Sequence, residues 1–177
     1  MCVALAALDA TVHVAGPEGA RAIAFADFHR LPGNTPERDT NLELNEIVTA
    51  VELPARGFAA NYTYLKIRDR LSYAFALVSV AAGLELEGKT IREARLALGG
   101  VAHKPWRDSA AETALRGQVA NHASFGHAAD LVLRDAKGFE HNAFKIDLAR
   151  RAILRALTQA VAGACSRRTK RKSGEQE

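Results

Sequence analysis

A chain of 177 residues with 48% hydrophobic content is long enough for one ordinary domain or two small ones with a packed core, which excludes disorder over most of its length. Its formal net charge of +4 is concentrated in residues 166–177, where five Lys/Arg and two Glu leave about +1 for everything before them. A near-neutral body lacks the clustered basic face and aromatic platforms of a nucleic-acid surface, so nucleic acid is not expected as a partner.

Residues 2–9 are small and apolar and predict a short helix. Thr11 to Val14 alternates, Gly16-Pro17-Glu18-Gly19 turns, and 21–25 supplies the return strand of a hairpin. A helical turn over 26–31 and a loop over 32–36 lead to a strand over 45–53. That strand has Ile47, Thr49, Val51 and Leu53 on one face and Val48 on the other, and Pro54 ends it. A second unit opens near Phe58 with three longer strands, 61–67, 75–86 and 90–98, the last two joined by the tight-turn signal Glu87-Gly88-Lys89. After Gly99-Gly100 the pattern becomes helical over 109–115, 127–133 and 146–161, and Ile146, Ala149, Ile153, Leu157 and Val161 form one apolar stripe. Gly163 closes the last helix, and the tail beyond it has nothing to bury and is expected to be disordered. The fold class is α+β: a three-stranded antiparallel sheet packed with a helical layer, preceded by a smaller unit. Leu5, Val51, Leu53, Phe75, Leu77, Leu96, Ile153 and Leu157 are expected to be buried.

Cys2 and Cys165 are too few and too far apart for a Cys-x-x-Cys metal site, and no apolar run approaches the length of a membrane span. The chain starts directly in an apolar segment without a leader, which suggests that Met1 is an internal methionine of a longer protein. The sequence offers no catalytic triad, paired-carboxylate site, phosphate-binding loop or GxGxxG. His103, Trp106 and Arg107 follow a glycine pair that lets backbone approach a ligand, and Trp and Arg can stack on a flat ring. The plainer reading is a strand-to-helix connection with Trp106 as a core anchor. Lys66 to Tyr73 is the densest polar cluster beside a predicted strand end. Lys66 could set a cation beside a phosphate or a reduced flavin's N1–C2 edge, or be a solvated strand-end lysine. Asp69 with Arg68 or Arg70 could be only a surface ion pair. His122, His127 and His141 lack metal-ligand spacing, and nothing raises His13 or His29 above background.

Several segments taken together carry a resemblance: Met1 to Ala10, Asp27-Phe28-His29, Asn45-Glu46-Ile47-Val48, Tyr64 to Arg70, Ser72-Tyr73-Ala74-Phe75-Ala76 and Leu98 to Arg107. Over residues 1 to about 162 the chain resembles the FAD-binding medium subunit of the xanthine dehydrogenase, or molybdenum hydroxylase, family. Within it the chain looks most like the medium subunits of bacterial periplasmic aldehyde oxidoreductases. The resemblance implies that residues 1–54 are the end of a PCMH-type FAD-binding lobe, 58–162 a CO dehydrogenase flavoprotein C-terminal-like domain and 163–177 a basic tail. It implies FAD as cofactor of the complete subunit, with the glycine-rich segments that wrap the pyrophosphate, and a Ser-Asp pair contacting FAD, lying upstream of Met1. It implies partner subunits: a large one that binds molybdopterin and hydroxylates an aldehyde or purine, and a small one with two [2Fe-2S] clusters. An extra iron-sulfur cluster of the aldehyde oxidoreductases would sit on upstream cysteines. Among the residues here, Val48 matches an apolar position packing on FAD and Lys66 a lysine contacting it. Asp69, Ser72 and Tyr73 fall in a loop near the flavin. No residue is implied as catalytic or metal-binding, and a bacterial cytoplasmic or periplasmic location fits equally. The alternative is a docking module for neighbouring subunits that binds no flavin itself.

Overall fold

The computed structural model describes residues 1–55 and 58–163. The basic tail expected to be disordered lies outside the described residues. The first unit comprises α1 (Cys2–Ala7), β1 (Thr11–Gly16), β2 (Gly19–Ala24), α2 (Phe25–Phe28) and β3 (Ile47–Glu52). Its antiparallel sheet has the order β2-β1-β3, with Val12 opposite both Ile23 and Val51. Alternation in β1 sends Val12 and Val14 into a small core with Ala10, Ile23 and Phe25.

The second unit comprises β4 (Asn61–Ile67), β5 (Val78–Glu87), β6 (Thr90–Gly99), β7 (Trp106–Arg107), α3 (Ser109–Leu115), α4 (His122–Leu133) and α5 (Phe144–Ala162). Its strands pair antiparallel in the order β4-β5-β6-β7, and α5 lies across β4 and β5. Val78, Val80, Leu84, Leu96, Leu98, Ile153 and Leu157 all lie at 2% exposure or less, in one core between sheet and helices. Asp108 caps α3 through the amide of Ala110 at 2.8 Å, and Asn121 caps α4 through that of Ser124 at 3.0 Å. Gly163, at φ 75, stops α5, and the Asn61 side-chain amide nitrogen donates to the carbonyls of Ala160 and Val161 in its last turn at 2.9 and 3.1 Å.

The α+β architecture matches the sequence expectation, with four corrections. The second sheet has four strands, because Trp106 and Arg107 pair with Leu98 and Ala97 as a two-residue edge strand. The strand expected from residue 75 begins at Val78. The carbonyls of Tyr73 and Ala74 accept from the Arg70 and Lys66 side chains, so this stretch satisfies its backbone outside the ladder. Phe75 is therefore 98% exposed rather than buried. Val51 and Leu53, also expected inside, are 44% and 50% exposed, because β3 is a sheet edge paired only with β1 and nothing described covers it. Finally, α4 starts at His122 rather than 127, where the Asn121 cap sets its first turn.

Candidate functional site

Alternation along β4 turns Thr63, Leu65 and Ile67 toward the helices and Tyr62, Tyr64 and Lys66 to the opposite, open face. The Lys66 ammonium donates to the Ala74 carbonyl at 2.6 Å, and Arg70 donates to the carbonyl of Tyr73. These two bonds fold residues 68–77 into a loop that leaves β4 and re-enters the sheet at β5. A shallow cleft of about 300 Å³ is lined by Lys66 to Leu71. The loop presents Leu71, Tyr73 and Phe75 at 86%, 97% and 98% exposure, and Tyr73 is held at φ 50, where a side chain is unfavourable. Asp69 and Ser72 are exposed on the same loop. Three of the five expected site residues, Asp69, Ser72 and Tyr73, thus share one loop, and Lys66 at the end of β4 is bonded to it. Val48 stands apart on β3 in the first sheet, 43% exposed.

His103 is exposed, as its plainer reading has it, and Trp106 is an anchor whose indole donates to the Val132 carbonyl at 2.9 Å. Arg107 is part of a charge cluster that sequence reasoning missed. Its guanidinium joins Asp9 of the first unit to the buried Glu112 of α3, whose carboxylate also accepts the Leu96 amide at 2.8 Å. The signal was an acidic residue at the apolar face of a helix, between Ala111 and Leu115. Above the cluster, α1 and the open face of β4 and β5 enclose a cleft of about 560 Å³, with Phe58, Tyr62, Tyr64 and Arg95 in its walls. Among the described residues no three His, Cys, Asp or Glu gather into a metal site, and no helix is long and apolar enough to cross a membrane.

Residues 62–160, more than half of the chain, match the model of the CO dehydrogenase flavoprotein C-terminal domain. The chain belongs to that family. Residues 1–56 match the FAD binding domain in molybdopterin dehydrogenase. The family member is 43% identical over 165 residues to the aldehyde oxidoreductase FAD-binding subunit PaoB of Escherichia coli K12, covering 93% of this chain and 48% of that protein. It is 36% identical over 122 residues to the glyceraldehyde dehydrogenase medium chain of Sulfolobus acidocaldarius, covering 68% and 41%. Among solved structures, quinoline 2-oxidoreductase from Pseudomonas putida 86 aligns with TM-score 0.77 and 27% identity over 92% of this chain and 56% of that one. Carbon monoxide dehydrogenase from Hydrogenophaga pseudoflava aligns with TM-score 0.81 and 26% identity over 91% and 55%. The chain therefore spans about half the length of the relatives it matches.

The residues present fit one end of FAD. Exposed apolar side chains beside an anchored ammonium suit the edge of a flat ring with polar atoms at its rim. A pyrophosphate needs converging backbone amides or several cations; Arg68 and Arg70 line the cleft with Lys66, but Arg70 is spent on the Tyr73 carbonyl and Lys66 on that of Ala74, so the cleft suits a ring edge better.

Proposed function

We propose that this chain works as part of the FAD-binding, electron-transferring subunit of a molybdenum-dependent oxidoreductase of the aldehyde or xanthine type. FAD, when bound, accepts electrons that arrive through partner iron-sulfur clusters and hands them to an acceptor. The partners in this reading are a molybdopterin-binding large subunit and a [2Fe-2S] small subunit, in keeping with a relative that is named as an FAD-binding subunit. One observation carries the assignment of the site: Lys66 is tied at 2.6 Å to the carbonyl of the very loop that exposes Tyr73 and Phe75.

Lys66 retains N–H donors beyond the one given to Ala74, so it can hold the loop and a ligand oxygen together. An ammonium near the N1–C2 edge offsets the negative charge that edge gains on reduction, whereas one near a phosphate strengthens binding in both redox states. Val48 supplies apolar contact, and Asp69, Ser72 and Tyr73 shape access to the ring.

Lys66→Met in the FAD-loaded subunit separates the two roles. A lowered flavin midpoint potential with FAD retained supports the ring edge. An unchanged potential with affinity down by roughly ten- to a hundredfold, equivalent to about 1.5–3 kcal/mol, supports the phosphate. No change in either discards Lys66 as a site residue. The exposed Leu71, Tyr73 and Phe75 also suit a docking module without flavin. In that case Tyr73→Ser and Phe75→Ser would weaken subunit assembly and leave FAD content alone.

A further inference from the structure

We propose that Arg107 and Asp9 are positioning residues for the flavin site, clamping the unit that carries Val48 to the unit that carries Lys66. This rests on the site reading given above.

The geometry of Arg107 spends every hydrogen-bond donor of the guanidinium. Its Nε and Nη2 donate to the two oxygens of Glu112 at 2.7 and 2.9 Å. Its other edge faces the first unit: Nη1 donates to Asp9 Oδ1, Nη2 to Asp9 Oδ2 at 3.2 Å, and Nη1 also to the Ala6 carbonyl at 2.8 Å. Two carboxylates and a carbonyl at the end of α1 are thus held by one side chain. Burial works against the Arg107 charge, but the hydrogen bonds to Glu112 and Asp9 outweigh it and raise its pKa. Arg95 completes the cluster, 3.2 Å from Asp9 and 2.6 Å from Glu93.

Asp9 is locally committed to this contact. It sits at φ 52, an uncommon conformation for a residue with a side chain, at the corner where α1 turns into β1. The apolar packing between the units is made of small groups, Val3 and Ala7 of α1 against Ala81 and Ala97 of the sheet. Such small groups, with Val3 seated over Gly99, hold the units together at one point but do little against rotation about it, so direction comes from the charge pairs. Beyond it, Lys104 reaches the Ala26 carbonyl at 3.3 Å, a single exposed bond. Because Val48 and Lys66 lie on different sheets, a ligand touching both is bound as by two linked half-sites. Loosening the link lowers the effective concentration of one half-site at the other.

The clamp is read directly by the distance between spin labels at Glu18→Cys and Lys89→Cys, one on a turn of each unit, with Cys2→Ser and Cys165→Ser in the full chain. A narrow distribution that broadens in Arg107→Met and in Asp9→Asn supports the clamp, and one that stays narrow in both overturns it. Arg107→Lys is expected to broaden it as well, since an ammonium cannot serve both carboxylates in the plane of the fork. If Arg107→Met does not fold, Asp9→Asn, which leaves the Glu112 pair intact, decides alone.

The link to the flavin is tested in the FAD-loaded subunit. Arg107→Lys and Asp9→Asn should weaken FAD binding by on the order of tenfold, while Leu157→Ala, a core change remote from the clamp, should leave affinity unchanged. If Val48→Ser and Lys66→Met also weaken FAD and the clamp variants do not, the positioning role fails. If Val48→Ser and Lys66→Met have no effect, the site reading fails, and the label distances still judge the clamp.

Discussion

Gly99 illustrates how much a single missing Cβ carries. A methyl built there would lie 2.4 Å from Val3 Cγ2 and 2.8 Å from Ser79 Oγ, so only glycine lets α1 settle on β6. Gly99→Ala is expected to destabilise the chain by about 1–3 kcal/mol, and Val3→Ala in the same background should return part of the loss. Denaturant midpoints of the four proteins in that cycle check it, and strictly additive losses would refute the contact. Glu46 gives a residue-scale dependence on pH. Its carboxylate accepts both forks of Arg21 at 2.7 Å and the Glu43 amide at 2.7 Å, which lowers its pKa from 4.5 to about 2. A lowered folded-state pKa means that the unfolded chain takes up protons first as pH falls. The stability from Glu46 is therefore complete above about 4.5 and disappears as pH drops toward about 2. The stability difference between the native chain and Glu46→Gln should be constant near neutrality and close to nothing at the acid end. A difference that grows below pH of about 4.5 would contradict the assignment.

At the scale of elements, periodicity was informative wherever burial created it. The α5 stripe places Ala149, Ile153 and Leu157 at 1% exposure or less, and the β5–β6 turn falls at Gly88 with φ 60, as the Glu-Gly-Lys signal required. Ile153→Ala or Leu157→Ala should each cost about 2–5 kcal/mol by the cavity left behind, whereas Val51→Thr on exposed β3 should change stability by less than about 0.5 kcal/mol. Urea denaturation distinguishes these, and equal losses at the two places would mean that β3 is covered after all. The same contrast explains what was hidden. Ile47, Val51 and Leu53 alternate like a half-buried strand, and periodicity reports the character of side chains without saying whether anything covers them. Residues 75–77 read as strand because their composition suits one, but Lys66 and Arg70 had claimed the carbonyls before them. The site loop was legible as a dense polar run beside a strand end. The clamp was not, because Asp9 and Arg107 are 98 positions apart and nothing local marks them as partners.

At the scale of the whole molecule, two sheets are joined by the small apolar packing of α1 and by one charge cluster, and the surface expected to meet FAD is divided between them. Arg107→Met should lower stability by about 3–5 kcal/mol, because it leaves Glu112, 6% exposed, without its main cation. The described surface also bears directly on cofactor retention. A dinucleotide cofactor owes much of its affinity to charge-assisted bonds at the pyrophosphate, each worth about 1.5–3 kcal/mol, and two or three of them amount to roughly two to six decades in affinity. Val48 contributes apolar area, and in the cleft that Arg68 also lines, Lys66 is engaged with Ala74 and Arg70 with Tyr73, so the described residues offer ring contacts with little of that anchoring. Expressed alone, the 177-residue chain is accordingly expected to purify colourless or nearly so and to bind added FAD far more weakly than the relatives' full-length subunits. Absorbance of the purified chain and a fluorescence titration with FAD make the measurement. A stoichiometric flavin band would mean that the loop of residues 68–77 and β3 hold the cofactor without a pyrophosphate cradle, and the division of labour proposed for Val48 and Lys66 would have to be redrawn.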